Sequence, residues 1–251
     1  MLSLYHSLVS TCSQKVRLCL HHKGLDYESR LVNLISGEQL SPAYLAINPN
    51  GVVPSLVHDG AAITDSSVIM EYLDEVFPET PLMPEDAVGK AQVRAWMRYI
   101  EEVPTAAIRF PSFNDLILRA YEDMPEDAFR DEIERRPLRK HFYEQMGQTG
   151  FDQKTVDASM ERLRQTMTRI DTATGRHRFV AGDAMSIADF ALVPTVDRLH
   201  DLGRTEVFDG LPNLARWWQD IVALPAFAAA YPTGSRLSEV FARTAPQAAC
   251  D

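Results

Sequence analysis

The feature that most constrains this chain is a proline at the head of a short apolar run, Asn48-Pro49-Asn50-Gly51-Val52-Val53-Pro54-Ser55-Leu56. Proline lacks the N–H that a central strand donates, so it suits the first position of a strand and not its middle. A proline at such a point answers to a special backbone geometry, often a cis bond, that turns the main-chain groups of Val53 toward something other than the sheet. Downstream, Asp65-Ser66 precede an amphipathic run from Val68 to Phe77. The fold must therefore place a proline-led strand, a return strand and a helix in close succession.

Patterning fills in the rest of this half. Leu2 and Leu4 alternate around Ser3 as a short strand. Ser10 to Ser13 are cap-type residues ahead of Val16, Cys19 and Leu20, and Gly24 is a stop signal, which predicts a helix from Cys12 to Lys23. Tyr27 to Leu34 is β-rich. A connection with Gly37 and Pro42 leads to the strand from Pro54 to His58, and the Asp59-Gly60 turn returns the chain through Ala61 to Thr64. Val68, Ile69, Tyr72, Leu73 and Val76 share one helical face. The order βαβ, then ββα, predicts an α+β, thioredoxin-like domain over residues 1–80. Pro78, Pro81 and Pro84 punctuate a linker.

Beyond the linker the hydrophobic period is helical. Val93, Trp96, Met97 and Ile100 share a face; so do Val156, Met160, Leu163, Met167 and Ile170, and again Leu214, Trp217, Trp218 and Ile221. Residues 81–251 are therefore expected to form an all-α domain. Its exception is a long stretch of mixed character over 104–155. Ser186-Ile187-Ala188-Asp189 has the form of a capping box, with Met185 placed to staple against Phe190. That motif reads as structural. The end, Ala245 to Asp251, is expected to fray.

Charge and composition remove some functions. A formal net charge of −10 over 251 residues argues against nucleic-acid binding and against a polybasic membrane anchor. No segment is apolar for the length a bilayer crossing needs, and no secretory signal is visible. Cys12, Cys19 and Cys250 make no CxxC pair and are odd in number, which fits a reducing compartment. A cytoplasmic location is the expectation.

Taken together, Ser10-Thr11-Cys12-Ser13 with Val16-Arg17-Leu18, Lys23 to Glu28, Asn48-Pro49 to Val53-Pro54, Asp65-Ser66 and Ser186 to Asp189 resemble the glutathione transferase family over essentially the whole chain. The resemblance implies glutathione as co-substrate, no metal, a hydrophobic aromatic second substrate, and a dimer of identical or related chains. It also implies that the tripeptide's thiol sits where the first helix begins. A thiol of pKa near 8.5 needs roughly 2.7 kcal/mol of thiolate stabilisation to fall by about two units. A helix N-terminus and a hydroxyl donor supply energy of that order. Ser10 matches the catalytic hydroxyl of serine-type members. Thr11 and Cys12 complete a zeta-like triplet, and Ser13 matches the serine of some β-etherase-type members. Capping is the competing role for all four.

For the rest of the tripeptide, the resemblance implies a strand-like contact from Val53, with Pro54 cis. Asp65 and Ser66 would grip the γ-glutamyl end and Gln39 the glycyl end. Asp65 departs from the usual Glu or Gln and reaches less far; as a helix cap it would have a structural role instead. The stretch 104–155, with Gln148-Thr149-Gly150-Phe151, looks like the insertion of bacterial glutathione-dependent β-etherases, and implies an activity on lignin-derived aromatic dimers. A zeta-like isomerase, a dehalogenating transferase and a non-catalytic docking module are the alternatives. Leu8, Tyr99, Phe110 and Phe113 are the candidate pocket residues, with core packing as the rival reading for the aromatics. His21-His22 point to different helix sides and have no carboxylate partner, so a metal site is not expected. Arg135, Arg136, Arg139, Lys140 and His141 read as a solvated face. Arg17 is expected to bridge the two domains.

Overall fold

In the computed structural model, which describes residues 1–241, β1 (Leu2–His6) lies at the heart of a four-stranded sheet ordered β2-β1-β3-β4. Cys250 and the segment Ala245 to Asp251 fall outside the described residues. β2 (Glu28–Leu31) runs parallel to β1, so it needs a crossover, and α1 (Thr11–His22) supplies it. A 3-10 turn, Glu38–Leu40, and α2 (Pro42–Leu45) form the connection that held Gly37 and Pro42. β3 (Ser55–His58) and β4 (Ala61–Thr64) close as an antiparallel hairpin, Leu56 opposite Ile63, and α3 (Ser66–Val76) follows. The sheet is mixed, as the βαβ–ββα order predicts, and the Val53–Pro54 bond is cis.

The helical part begins with α4 (Ala87–Glu102). The stretch of mixed character then resolves into α5 (Pro104–Ala107), α6 (Arg109–Asp115), α7 (Glu126–Glu134) and α8 (Lys140–Met146). α9 (Gln153–Thr174), α10 (Ile187–Asp201), α11 (Pro212–Val222), α12 (Pro225–Ala230) and α13 (Leu237–Val240) complete it. One apolar core spans both parts: Leu4, Val16, Leu20, Leu56, Ile69 and Leu73 pack with Leu163, Phe190, Leu199 and Trp217. A second cluster belongs to the insertion, with Phe113, Tyr121, Phe129, Tyr143, Phe151 and Val156 at its centre. That separate core explains the weak periodicity of 104–155. Its helices are short, and their apolar residues answer to one another and not to a long common face.

α1 is buried continuously from Ser13 to Leu20, because it is sandwiched between the sheet and the helices α10 and α12. Such a position should exclude charge, yet it holds Arg17 and Lys15. Each is satisfied. Arg17 donates to the carbonyls of Ser7 (3.1 Å), Leu8 (2.9 Å) and Ala230 (3.0 Å), tying the sheet's loop to α12. Burial lowers its pKa to about 10, which leaves it charged at neutral pH. Lys15 pairs with Glu101 of α4 at 2.6 Å and with Thr105 at 3.0 Å. Arg17 thus bridges the domains as expected.

The capping box is present, and it does more than cap. Asp189 is fully buried and accepts from Ser186 N (2.9 Å), Ser186 Oγ (3.1 Å), Val180 N (3.1 Å) and Trp217 Nε1 (2.9 Å). One carboxylate therefore locks α10, the preceding loop and α11 together.

Candidate active site

Ser10 is the N-cap of α1, its Oγ accepting from Ser13 N at 3.3 Å. Among the described residues the backbone amides of Thr11 and Cys12 have no acceptor, and α1 has no acidic residue in its first turn. The positive end of a twelve-residue helix is therefore open. The loop before it is pinned by its carbonyls. Arg17 holds Ser7 O and Leu8 O, Gln14 Nε2 also reaches Leu8 O at 3.2 Å, and Arg198 Nη2 reaches Val9 O at 2.6 Å. Arg198 comes from α10, so the helical domain fixes the loop that presents the cap. Sequence reasoning missed Gln14 and Arg198; buried polar residues on otherwise apolar helices were the available signal.

Two cavities meet at Ser10. The smaller, about 460 Å³, is lined by Gln39, Val52, Val53, Arg136, Arg139 and Tyr143, among others. The larger, about 860 Å³, is lined by Thr11, Cys12, Ile108, Arg109, Phe113, Tyr121, Arg139 and Tyr143 among others. Gln39 is buried with its Oε1 unpartnered, and so is Nε of Arg136 across the same small cavity. Groups of this kind are costly unless something fills the cavity with matching polarity.

Several candidates stand where the cleft requires and others do not. Ser10, Thr11 and Cys12 line it. Ser13 does not: it is completely buried, its Oγ accepting from Ser7 N at 3.4 Å. Phe113 lines the large cavity, but Phe110 packs edge-on against Phe142 and Phe151 inside the insertion's core. Tyr99 is bonded to Thr166 at 2.8 Å and lies under Arg169, on another face of the bundle. Leu8 faces Gly234 and is absent from the cavity walls. Tyr99, Phe110 and Leu8, expected in the pocket, therefore stand outside it, the two aromatics being taken up by packing within the helical part.

The basic run of the insertion is a further correction. Arg136 is buried, paired with Glu132 one turn back at 2.6 Å and lying 3.9 Å over the Tyr143 ring. Arg139 lines both cavities. Only part of the run is solvated, because α7 and α8 fold back over the thioredoxin-like domain. A Cβ on Gly51 would stand 3.1 Å from Pro137, and one on Gly37 would stand 3.4 Å from Glu132.

Ser66 is buried at the start of α3, and neither it nor Asp65 lines either cavity. Asp65 caps that helix, one carboxylate oxygen accepting from Ser67 N (2.9 Å) and Val68 N (3.2 Å). Its φ of +72° is an unfavourable backbone conformation for a side-chain-bearing residue. Such strain persists where surrounding bonds impose it, and it clusters at ligand sites. His21 and His22 diverge, to Tyr27 and to Phe190, and no metal-holding cluster of side chains exists among the described residues.

Comparison with known proteins fits this geometry. The family described as "Glutathione S-transferase, N-terminal domain" matches residues 4–81, and "Glutathione S-transferase, C-terminal domain" matches 128–225. Glutathione S-transferase Z1 of Arabidopsis thaliana is 30% identical, over 92% of this chain and 91% of its own. The chain belongs to the glutathione S-transferase family. Within it, Protein LigF of Sphingobium sp. strain SYK-6 is 28% identical over 94% of this chain and 95% of its own. The crystal structure of that β-etherase superposes with a TM-score of 0.83, covering 92% of this chain and 98% of the other at 27% identity. Maleylacetoacetate isomerase of Pseudomonas aeruginosa is 30% identical over 92% of this chain and 96% of its own. As a glutathione transferase fold, the chain joins a four-stranded mixed sheet to a helical domain.

Proposed function

We propose that this transferase holds glutathione across the mouth of α1 and cleaves β-aryl ethers of lignin-derived aromatic dimers with it. The observation that carries the ether-cleaving part is the near full-length likeness to the β-etherase LigF. In this reading the sulfur sits at Ser10. The hydroxyl donates to the thiolate, and the unpartnered amides of Thr11 and Cys12 add to the field. Val53, beside the cis Pro54, pairs its backbone with the cysteinyl unit. Gln39 faces the glycyl end, and Ser66 offers the start of α3 to the γ-glutamyl carboxylate. Asp65 spends one carboxylate oxygen on its cap and has the other for the amine. Ser13, fully buried, keeps the structural role.

The electrophile occupies the large cavity against Phe113. The thiolate attacks the carbon bearing the ether oxygen, in line with the breaking C–O bond, and the electron pair leaves with the phenolate. A phenol of pKa near 10 departs without a strong general acid. The protein's share is to make the thiolate, align the carbon and exclude water. We further propose a dimer, identical or mixed. The groove between α3 and α4, with exposed Val68 beside Glu71 and Arg94, is the face for it. Among the described residues no helix is long and apolar enough to cross a membrane; a cytoplasmic location is part of the same reading.

The test is glutathione-dependent phenol release from a synthetic β-aryl ether ketone. No release, with glutathione still bound, refutes ether cleavage and leaves the isomerase or dehalogenating reading, which the likeness to maleylacetoacetate isomerase favours. Failure to bind glutathione would instead support a non-catalytic docking module.

A further inference from the structure

Two guanidinium groups line the larger of the two cavities without an ion-pair partner among the described residues. Arg109, at the start of α6, and Arg139, before α8, both line it beside Thr11 and Cys12. The acidic groups around them are already engaged. Glu101 is held by Lys15 and Ser67, Glu132 by Arg135 and Arg136, and Glu134 by Lys140. Arg198, the third cation of the wall, has Asp201 at 3.5 Å. Among the described residues, no ion pair involves Arg109 or Arg139. Burial, and after it the charge of Arg139, pulls the Arg109 pKa down, with Cys12 and Glu101 acting in the opposite sense. The two cations thus share one cavity wall, in a protein of net charge −10.

Partly desolvated like charges are costly to assemble unless an anion joins them. The thiolate at Ser10 offsets one of them at most. The wall also carries apolar and aromatic side chains, Ile108, Phe113, Ile117 and Tyr121 among them. Guanidinium forks are suited to carboxylates, which they take in paired hydrogen bonds.

We propose that Arg109 and Arg139 form an anion subsite of the electrophile pocket, so that the preferred second substrate is an aromatic compound carrying a carboxylate. This rests on the transferase reading of the cleft and adds the substrate's charge to it. An aryl ether acid, more than its neutral ester, then enters with its ring along Phe113 and its carboxylate between the two guanidinium groups. The glycyl carboxylate of glutathione is the other anion of the right chemistry, and the experiment separates the two.

The protein, saturated with S-methylglutathione, is titrated with 4-nitrobenzoate and with its methyl ester by calorimetry. The acid should bind about tenfold or more tightly than the ester, as charge-assisted hydrogen bonds require. Added salt should shrink that preference. Arg109→Gln and Arg139→Gln should each reduce the acid-over-ester ratio by about tenfold. Equal binding of acid and ester by the unaltered protein overturns the proposal, and needs no variant to fold. So does a loss of S-methylglutathione affinity as large as the loss of acid affinity, which would assign the arginines to the tripeptide. A raised thiol pKa of bound glutathione with the acid-over-ester ratio intact would assign them to the thiolate. Absence of phenol release from any ether, with the acid preference retained, refutes the etherase reading alone.

Discussion

Removing the Ser10 hydroxyl should raise the pKa of the glutathione thiol, and the structure sets the size of the change. Two contributions act on a sulfur at the start of α1. The open helix end, with no acidic residue in its first turn, supplies about 0.3–1 kcal/mol, and up to about 2 where partly buried. A hydrogen bond from a hydroxyl to an anion supplies about 1.5–3 kcal/mol. Together they lower a thiol from about 8.5 by roughly 1.5–3 units. Ser10→Ala deletes the second contribution and leaves the first, so the bound thiol should move back up by about 1–2 units. Its thiolate ultraviolet absorbance, followed against pH in the binary complex, reads this directly. At about pH 6.5 the rate should fall by roughly 10- to 100-fold, with a smaller change above the new pKa. The cap bond to Ser13 N also disappears, costing about 1 kcal/mol of stability, which denaturation reports separately. Ser10→Thr restores a hydroxyl and should recover most of the shift. A titration midpoint unmoved by Ser10→Ala, or moved equally by Thr11→Val or Cys12→Ala, refutes the assignment.

Three other expectations follow from the packing. Asp189→Ala strands the buried donors of Trp217, Val180 and Ser186, and should cost about 3–5 kcal/mol in urea unfolding; a loss below about 1 kcal/mol contradicts the network. His6 is buried, accepts at Nδ1 from Arg17 (3.3 Å) and donates from Nε2 to Ser29 (2.8 Å), so it stays neutral, its pKa lowered to about 4 by burial and then by Arg17. The unfolded chain binds the proton more readily, so stability should rise with pH between about 4 and 6.5, by up to roughly 3 kcal/mol, and His6→Asn should flatten that part of the profile. Gly51 has φ +60° and stands where a Cβ would be 3.0 Å from Leu40 and 3.1 Å from Pro137; Gly51→Ala should cost about 1–2 kcal/mol and weaken glutathione binding, and an unaltered dissociation constant would separate the insertion from the small cavity.

Much of the frame around the candidate site lay open in the sequence because it is built from local chemistry. A serine before an amphipathic run caps that run wherever it lies, so Ser10 at the head of α1 and Ser186-Asp189 at the head of α10 were readable from neighbours alone. Pro54 marked the strand edge for the same reason, since its missing N–H is a property of one residue. The sheet order followed from the βαβ–ββα pattern, because a parallel neighbour needs a crossover and an antiparallel one a turn.

Which side chains face the cleft was decided elsewhere. Helical spacing gave Tyr99 an inward face but not which interior it would enter, and the Pro-interrupted segment left Phe110 open between pocket and core; each packed away from the cleft. The run from Arg135 to His141 reads as surface by charge alone. Yet the insertion's own aromatic cluster folds α7 and α8 back over Gly37 and Gly51, and this buries Arg136 and brings Arg139 to the cavities. Arg198 and Gln14 hold the loop before Ser10 from distant positions in the chain. Propensity and capping act over a few residues, so the sequence settled the elements and the mouth of α1. The walls of the pocket depend on contacts between segments far apart in the chain, and only the packed structure brings these together.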